Sequence, residues 1–143
     1  MKRILLSLIL VAGVCGVVFA EQPASPTITL TQEKLELIER NLVVGLESGI
    51  PSLQASAALV LRQVKGIAPE YDFSLCIIPL MRIVKNVDYN VDTRLAAGLA
   101  LFELKSSRGD YAIARTAKFE ENPRVRKIFV AMTYERGLQN NLY

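Results

Sequence analysis

An internal repeat constrains this chain more than any other feature. The stretch Leu53-Gln54-x-x-Ala57-Ala58-x-Val60-Leu61-x-x-Val64 returns further along as Thr93-Arg94-x-x-Ala97-Gly98-x-Ala100-Leu101-x-x-Leu104. Val125-Arg126 opens a third copy, with Phe129, Val130 and Met132 at its apolar positions. Spacings of three and four place such side chains on one face of a helix. The segments in front of each copy also correspond: Ile38 to Leu46, Ile78 to Val84, and Ala112 to Phe119. Each unit therefore reads as a helix, a tight polar turn and a second helix. One such pair cannot bury its own apolar stripe, so about three must lie against one another to share a core.

Local signals set the boundaries. Thr31 stands as an N-cap ahead of Leu35, Ile38, Leu42 and Leu46, while Glu36, Glu39, Arg40 and Glu47 lie mostly off that stripe. Gly49 stops the first helix and Pro51 starts the second, which is expected to run to about Val64 with Leu53, Ala57, Val60, Leu61 and Val64 inward. Lys65 to Tyr71 reads as a connection. A third helix from Asp72 or Phe73 carries Cys76, Ile77, Leu80, Met81 and Val84, with Pro79 inside it expected to bend it. The fourth spans Val91 to Leu104, and its Gly98 costs about 1 kcal/mol relative to Ala. That cost implies a closely passing neighbouring backbone. Ser106 to Asp110 reads as a turn broken by Gly109, then Tyr111 to Phe119 and Pro123 to Arg136 as helices, with Gly137 as the stop. No segment shows period-2 alternation between hairpin turns, so the expected fold class is all-α.

The stretch from Met1 to Ala20 stands apart. Lys2 and Arg3 precede an apolar run from Ile4 to Val18, and Val18-Phe19-Ala20 offers a small residue before polar Glu21. This is the layout of a secretory signal peptide cleaved after Ala20. The run is short of the ~20 apolar residues that an anchor needs. Val14 before Cys15 disfavours lipidation. The domain plan is then residues 1–20 as leader, 21–30 (EQPASPTITL) as flexible lead-in, 31–137 as helical repeat domain and 138–143 as tail.

Cleavage leaves one domain's worth of chain. It also removes Lys2 and Arg3, which takes the net charge from +3 to near +1. A basic-surface argument for nucleic acid therefore fails, and the expectation is no nucleic-acid partner. Cys76 would be the sole remaining cysteine, so no intramolecular disulfide forms. The chain has no His, which removes the usual general base near neutral pH, the Ser-His-Asp arrangement and imidazole metal sites. No catalytic, cofactor-binding or metal-binding residue is expected, and the chain reads as not an enzyme.

The pattern resembles the HEAT repeat family, whose second helix carries Val-Arg-x-x-Ala-Ala-x-Ala-Leu and whose first helix contains a kinking Pro like that of Ile78-Pro79-Leu80-Met81. The resemblance covers nearly all of residues 33–136. It implies a short right-handed α-α superhelix of about three HEAT-like hairpins, with Asp88, Arg94 and Arg126 as residues tying adjacent repeats together. Gln54 departs from the family's Arg, and Phe129 and Val130 replace its two Ala.

Arg94 and Arg126 either pair with a turn carboxylate such as Asp88 or Glu120, or bind an anionic partner. Cys76 reads as a small buried apolar residue, and the carboxylate pairs Glu36/Glu39 and Glu120/Glu121 as solvated surface. Second helices of a solenoid line its concave side. Leu59, Leu99 and Ala131 would form one outward row there, and Gln63, Glu103 and Glu135 another. The leucine row is either a peptide-docking groove or packing between neighbouring helices. Residues 105–136 carry eight basic and four acidic side chains, whereas residues 21–72 carry four basic and seven acidic. Arg124 and Lys127 mark the basic end, which would meet an acidic protein surface, anionic lipid or another copy's acidic end. The expected protein is a periplasmic or secreted interaction scaffold, touching the membrane only during export. The alternatives are a small self-assembling structural protein and a ligand- or chromophore-handling HEAT-like lyase.

Overall fold

In the computed structural model, residues 30–138 are described. The expected leader, the lead-in up to residue 29 and the tail from residue 139 lie outside them. Within this span the chain forms six helices, α1 (Gln32–Glu47), α2 (Pro51–Ile67), α3 (Ser74–Lys85), α4 (Val91–Leu104), α5 (Ser107–Phe119) and α6 (Pro123–Glu135). The all-α expectation holds for the described residues. Consecutive helices pair as hairpins, α1 with α2, α3 with α4 and α5 with α6. Between hairpins, α1 packs on α3 and α3 on α5, while α2 packs on α4 and α4 on α6. First and second helices thus form two layers that share one core.

The repeat positions explain that core. Leu61 and Leu101, at equivalent places in successive units, are both fully buried, together with Ala58, Ala97, Ala100, Phe129 and Val125. Phe73, Cys76, Leu80, Ile83 and Val84 complete the interior from the α3 side. Burial of a side chain of Leu or Phe size contributes about 1.5–3 kcal/mol, so a few such positions hold the hairpins together. Leu30, the last lead-in residue, also packs against this core.

The helix starts follow the capping chemistry. Asn90 accepts the Thr93 N–H at 2.8 Å, and Asn122 accepts the N–H groups of Arg124 and Val125. Thr31 stands at the N-cap of α1 through its backbone alone, its carbonyl accepting from Leu35 N–H. Pro51 and Pro123 open α2 and α6, where the missing donor costs nothing. Gly49 and Gly137 take positive φ after α1 and α6. Pro79 is buried inside α3.

Several expectations need correction. Helix α5 begins at Ser107, not Tyr111, because Ser106 accepts the Gly109 N–H at 3.0 Å and caps the first turn. Gly109 is no breaker; a Cβ there would meet Ser106 Oγ at 2.9 Å and Leu101 Cδ2 at 3.2 Å. Helix α2 continues through Ile67, into the expected connection. Gly98 faces a side chain rather than a backbone: a Cβ would overlap Phe129 Cε1 and lie 2.6 Å from Cζ of the same ring. Leu53 and Val60 are not core, being 45% and 42% exposed, whereas Gln54 is 3% exposed. The reason is that α2 packs on both α1 and α4. This turns Gln54 and Ala58 inward and leaves the Leu53–Val60 stripe open.

Candidate functional site

Two polar rungs cross between hairpins, and both start at the second residue of the repeat pattern. Arg94, on the first turn of α4, donates from Nε to the Val84 carbonyl at 3.2 Å. Its guanidinium then grips Glu120 in the α5–α6 turn with both terminal nitrogens, Nη1 to Oε1 at 3.1 Å and Nη2 to Oε2. Both side chains are almost fully buried. Burial alone would raise the Glu120 pKa. The Arg94 hydrogen bonds, the Asn122 N–H and the Arg94 charge outweigh it and hold the carboxyl below its ordinary range.

Gln54 repeats this geometry one hairpin earlier. Its Nε2 donates to the Leu46 carbonyl at 2.9 Å and to Tyr89 Oη at 3.1 Å. Leu46 lies in the last turn of the first helix of its own hairpin, and Tyr89 sits in the turn of the next. The departure from Arg therefore preserves the rung with a neutral donor. Thr93 adds a bond in the reverse direction, Oγ1 to the Pro51 carbonyl at 3.1 Å.

Of the residues expected to tie repeats together, Arg94 does so. Asp88 does not: it is exposed on the α3–α4 turn, with its own N–H bonded to Asn86, and the acceptor for Arg94 comes from the following turn instead. Arg126 is also exposed, and among the described residues no carboxylate pairs with it. Among the described residues no fourth hairpin turn follows for this rung position to reach.

The carboxylate pairs are only half solvated surface. Glu36 and Glu121 are exposed, but Glu120 is buried as above and Glu39 is 4% exposed. Glu39 accepts from Tyr71 Oη at 3.0 Å and from the Leu75 N–H at 2.9 Å, joining α1 to the start of α3. Desolvation first, then the hydrogen bond to Glu39 and its charge, push the Tyr71 hydroxyl up to about 12. Cys76 is fully buried. Its thiol is pushed up to about 12 by burial and then by the Glu39 charge, the opposite of an activated nucleophile.

The outward row of second-helix residues is partly open. Leu59 is 47% exposed and Ala131 exposed, with Leu99 half-buried between them. Beside them Gln63 and Glu135 are exposed, while Glu103 pairs with Arg62 at 3.2 Å across α2 and α4. Arg124 pairs with Asp92 at 3.1 Å on the surface, and Lys127 is exposed. Surface pairs of this kind contribute about 0–1 kcal/mol. At the turn end, a cleft of about 350 Å³ is lined by Lys85, Val87, Arg94, Arg115, Phe119 and Glu120 among others.

Among the described residues no group of acidic, Cys or His side chains is placed to hold a metal ion, and no helix is long and apolar enough to cross a membrane. No protein-family model matches the chain, and neither a curated protein nor a solved structure does so.

Proposed function

We propose that this chain is an exported HEAT-like α-solenoid that holds another protein in the cell envelope and catalyses no reaction of its own. The observation that carries the reading is the row Leu59, Leu99 and Ala131. It occupies one register on three neighbouring second helices, with apolar atoms left open at Leu59. Repeat stacks use such a shared face to take an extended segment or a helix. Polar neighbours Gln63 and Glu135, with the Arg62–Glu103 pair, would frame the apolar row and orient the guest.

The test is photo-crosslinking in the producing cell, with the reactive amino acid placed at Leu59 or Leu99 and, as a control, at exposed Tyr111 on α5. A discrete adduct from the leucine positions alone, on a chain whose N-terminus begins at Glu21, supports the reading. Equal labelling from all three positions, or an unprocessed chain kept in the cytoplasm, contradicts it.

A further inference from the structure

The repeat register separates each second helix into a face that looks back along the chain and one that looks forward. Thr93 looks back, since its hydroxyl bonds Pro51 of the preceding hairpin. The same position in the third hairpin, Val125, is fully buried, but in the first hairpin it is Leu53, 45% exposed. Position 60 behaves alike: Ala100 and Met132 are buried and Val60 is open. Leu53, Ser56, Val60, Gln63 and Ile67 are all exposed and follow at three- and four-residue steps, so they form one stripe along α2. This stripe lies opposite Ala58 and Arg62, which serve the α4 side.

The forward positions mirror this at the other end. Gln54 and Arg94 are buried in their rungs, but Arg126 is exposed. Ala58 and Gly98 are buried, but Val130 is only partly so. Among the described residues, the forward side therefore presents an open rung donor and the backward side an apolar stripe with no hairpin against it. The charges at the two ends are opposite in sign. Residues 30–72 hold six acidic and four basic side chains, and residues 105–138 hold four acidic and eight basic.

We propose that the occupant of both faces is a second copy of this chain, with the α6 face of one copy packed on the α2 stripe of the next, in the register by which α2 meets α4. This inference rests on the reading of the chain as an interaction module with stacked repeats, and names one partner for it. Such a contact is heterologous, so each added copy leaves a free end for the next, until a rotation that closes makes a ring. Arg126 would carry the same rung across the junction, toward the α1–α2 turn of the neighbour.

The experiment uses the full exported chain and two variants, Val60→Glu and Arg126→Glu, followed by sedimentation over a range of concentration and salt. Both positions are exposed, and the thermal midpoint of each variant is recorded to check folding. The unaltered chain should gain mass with concentration and lose it as salt rises. Each variant alone should remain a single chain. An equimolar mixture of the two should reach twice the single-chain mass and no more, because one intact junction remains available. An unaltered chain that stays monomeric at every concentration overturns the inference, as does a mixture that stays monomeric. A monomer whose thermal midpoint falls on Val60→Glu would mean that the chain's own lead-in covers the stripe, and that too overturns it. In these cases a crosslinked foreign partner at Leu59 would still leave the scaffold reading standing.

Discussion

Gln54 and Arg94, at the same position of successive repeats, make the same pair of contacts. Each donates to a carbonyl in the last turn of the first helix of its own hairpin, Leu46 or Val84. Each then reaches a turn of the next hairpin, at Tyr89 or Glu120. The rung satisfies a carbonyl left open at a helix C-terminus and fixes the spacing between hairpins. It does so with a charge in one case and without one in the other. The stack therefore depends on a donor at this position more than on an ion pair.

Replacing Gln54 by Ala should destabilise the chain by about 1–3 kcal/mol, because the Leu46 carbonyl is left buried without its donor. Tyr89→Phe removes only the distal bond and should cost about 0.5–1.5 kcal/mol. Urea unfolding of the two variants measures the difference, and equal costs would mean that the carbonyl contact contributes nothing.

Gly98→Ala should destabilise although it raises helix propensity by about 1 kcal/mol. The added methyl would fall within 2.6 Å of two Phe129 ring atoms, and overpacking of this kind costs about 1–3 kcal/mol. Pairing it with Phe129→Leu should make the Gly98→Ala step less harmful than it is alone. Thermal unfolding of the four chains would show this as a positive coupling.

Alkaline pH should weaken the α1–α3 contact through Tyr71. Its hydroxyl ordinarily titrates near 10 and is held neutral in the fold up to about 12. The unfolded chain therefore releases the proton first. The stabilisation is whole below pH 10 and fades as pH rises from 10 toward 12. A Tyr71→Phe variant should lose less stability than the parent across that window, read by circular dichroism against pH.

Much of the fold was legible because the punctuation was strong. Pro51, Pro123, Gly49 and Gly137 place helix ends by local chemistry alone. Ser106 was masked by Gly109, whose presence near a helix start reads as a break unless the neighbouring Leu101 is known to leave no room. The burial of Glu39 and Glu120 was illegible for another reason. Their partners are distant in sequence, at Tyr71 and Leu75 for Glu39 and at Arg94 for Glu120, beyond any local pattern. Leu53 and Val60 misled because periodicity reports an apolar stripe without saying whether a neighbour covers it. Gln54 carried a usable signal, since the repeat alignment laid it on Arg94 and a polar residue at a core position asks for a partner.

The most direct measurement is a double-mutant cycle on Arg94→Met and Glu120→Leu, followed by urea unfolding at neutral and acid pH. Removing either partner alone should cost about 3–5 kcal/mol, because it strands the other charge in the interior. The two changes together should cost less than their sum by about 2 kcal/mol or more. In the parent, stability should fall as pH drops below the ordinary carboxyl value of 4.5, through the lowered value of folded Glu120, and the double variant should lack that loss. Strictly additive single changes, with unaltered acid sensitivity, would contradict a stack of hairpins locked by this rung.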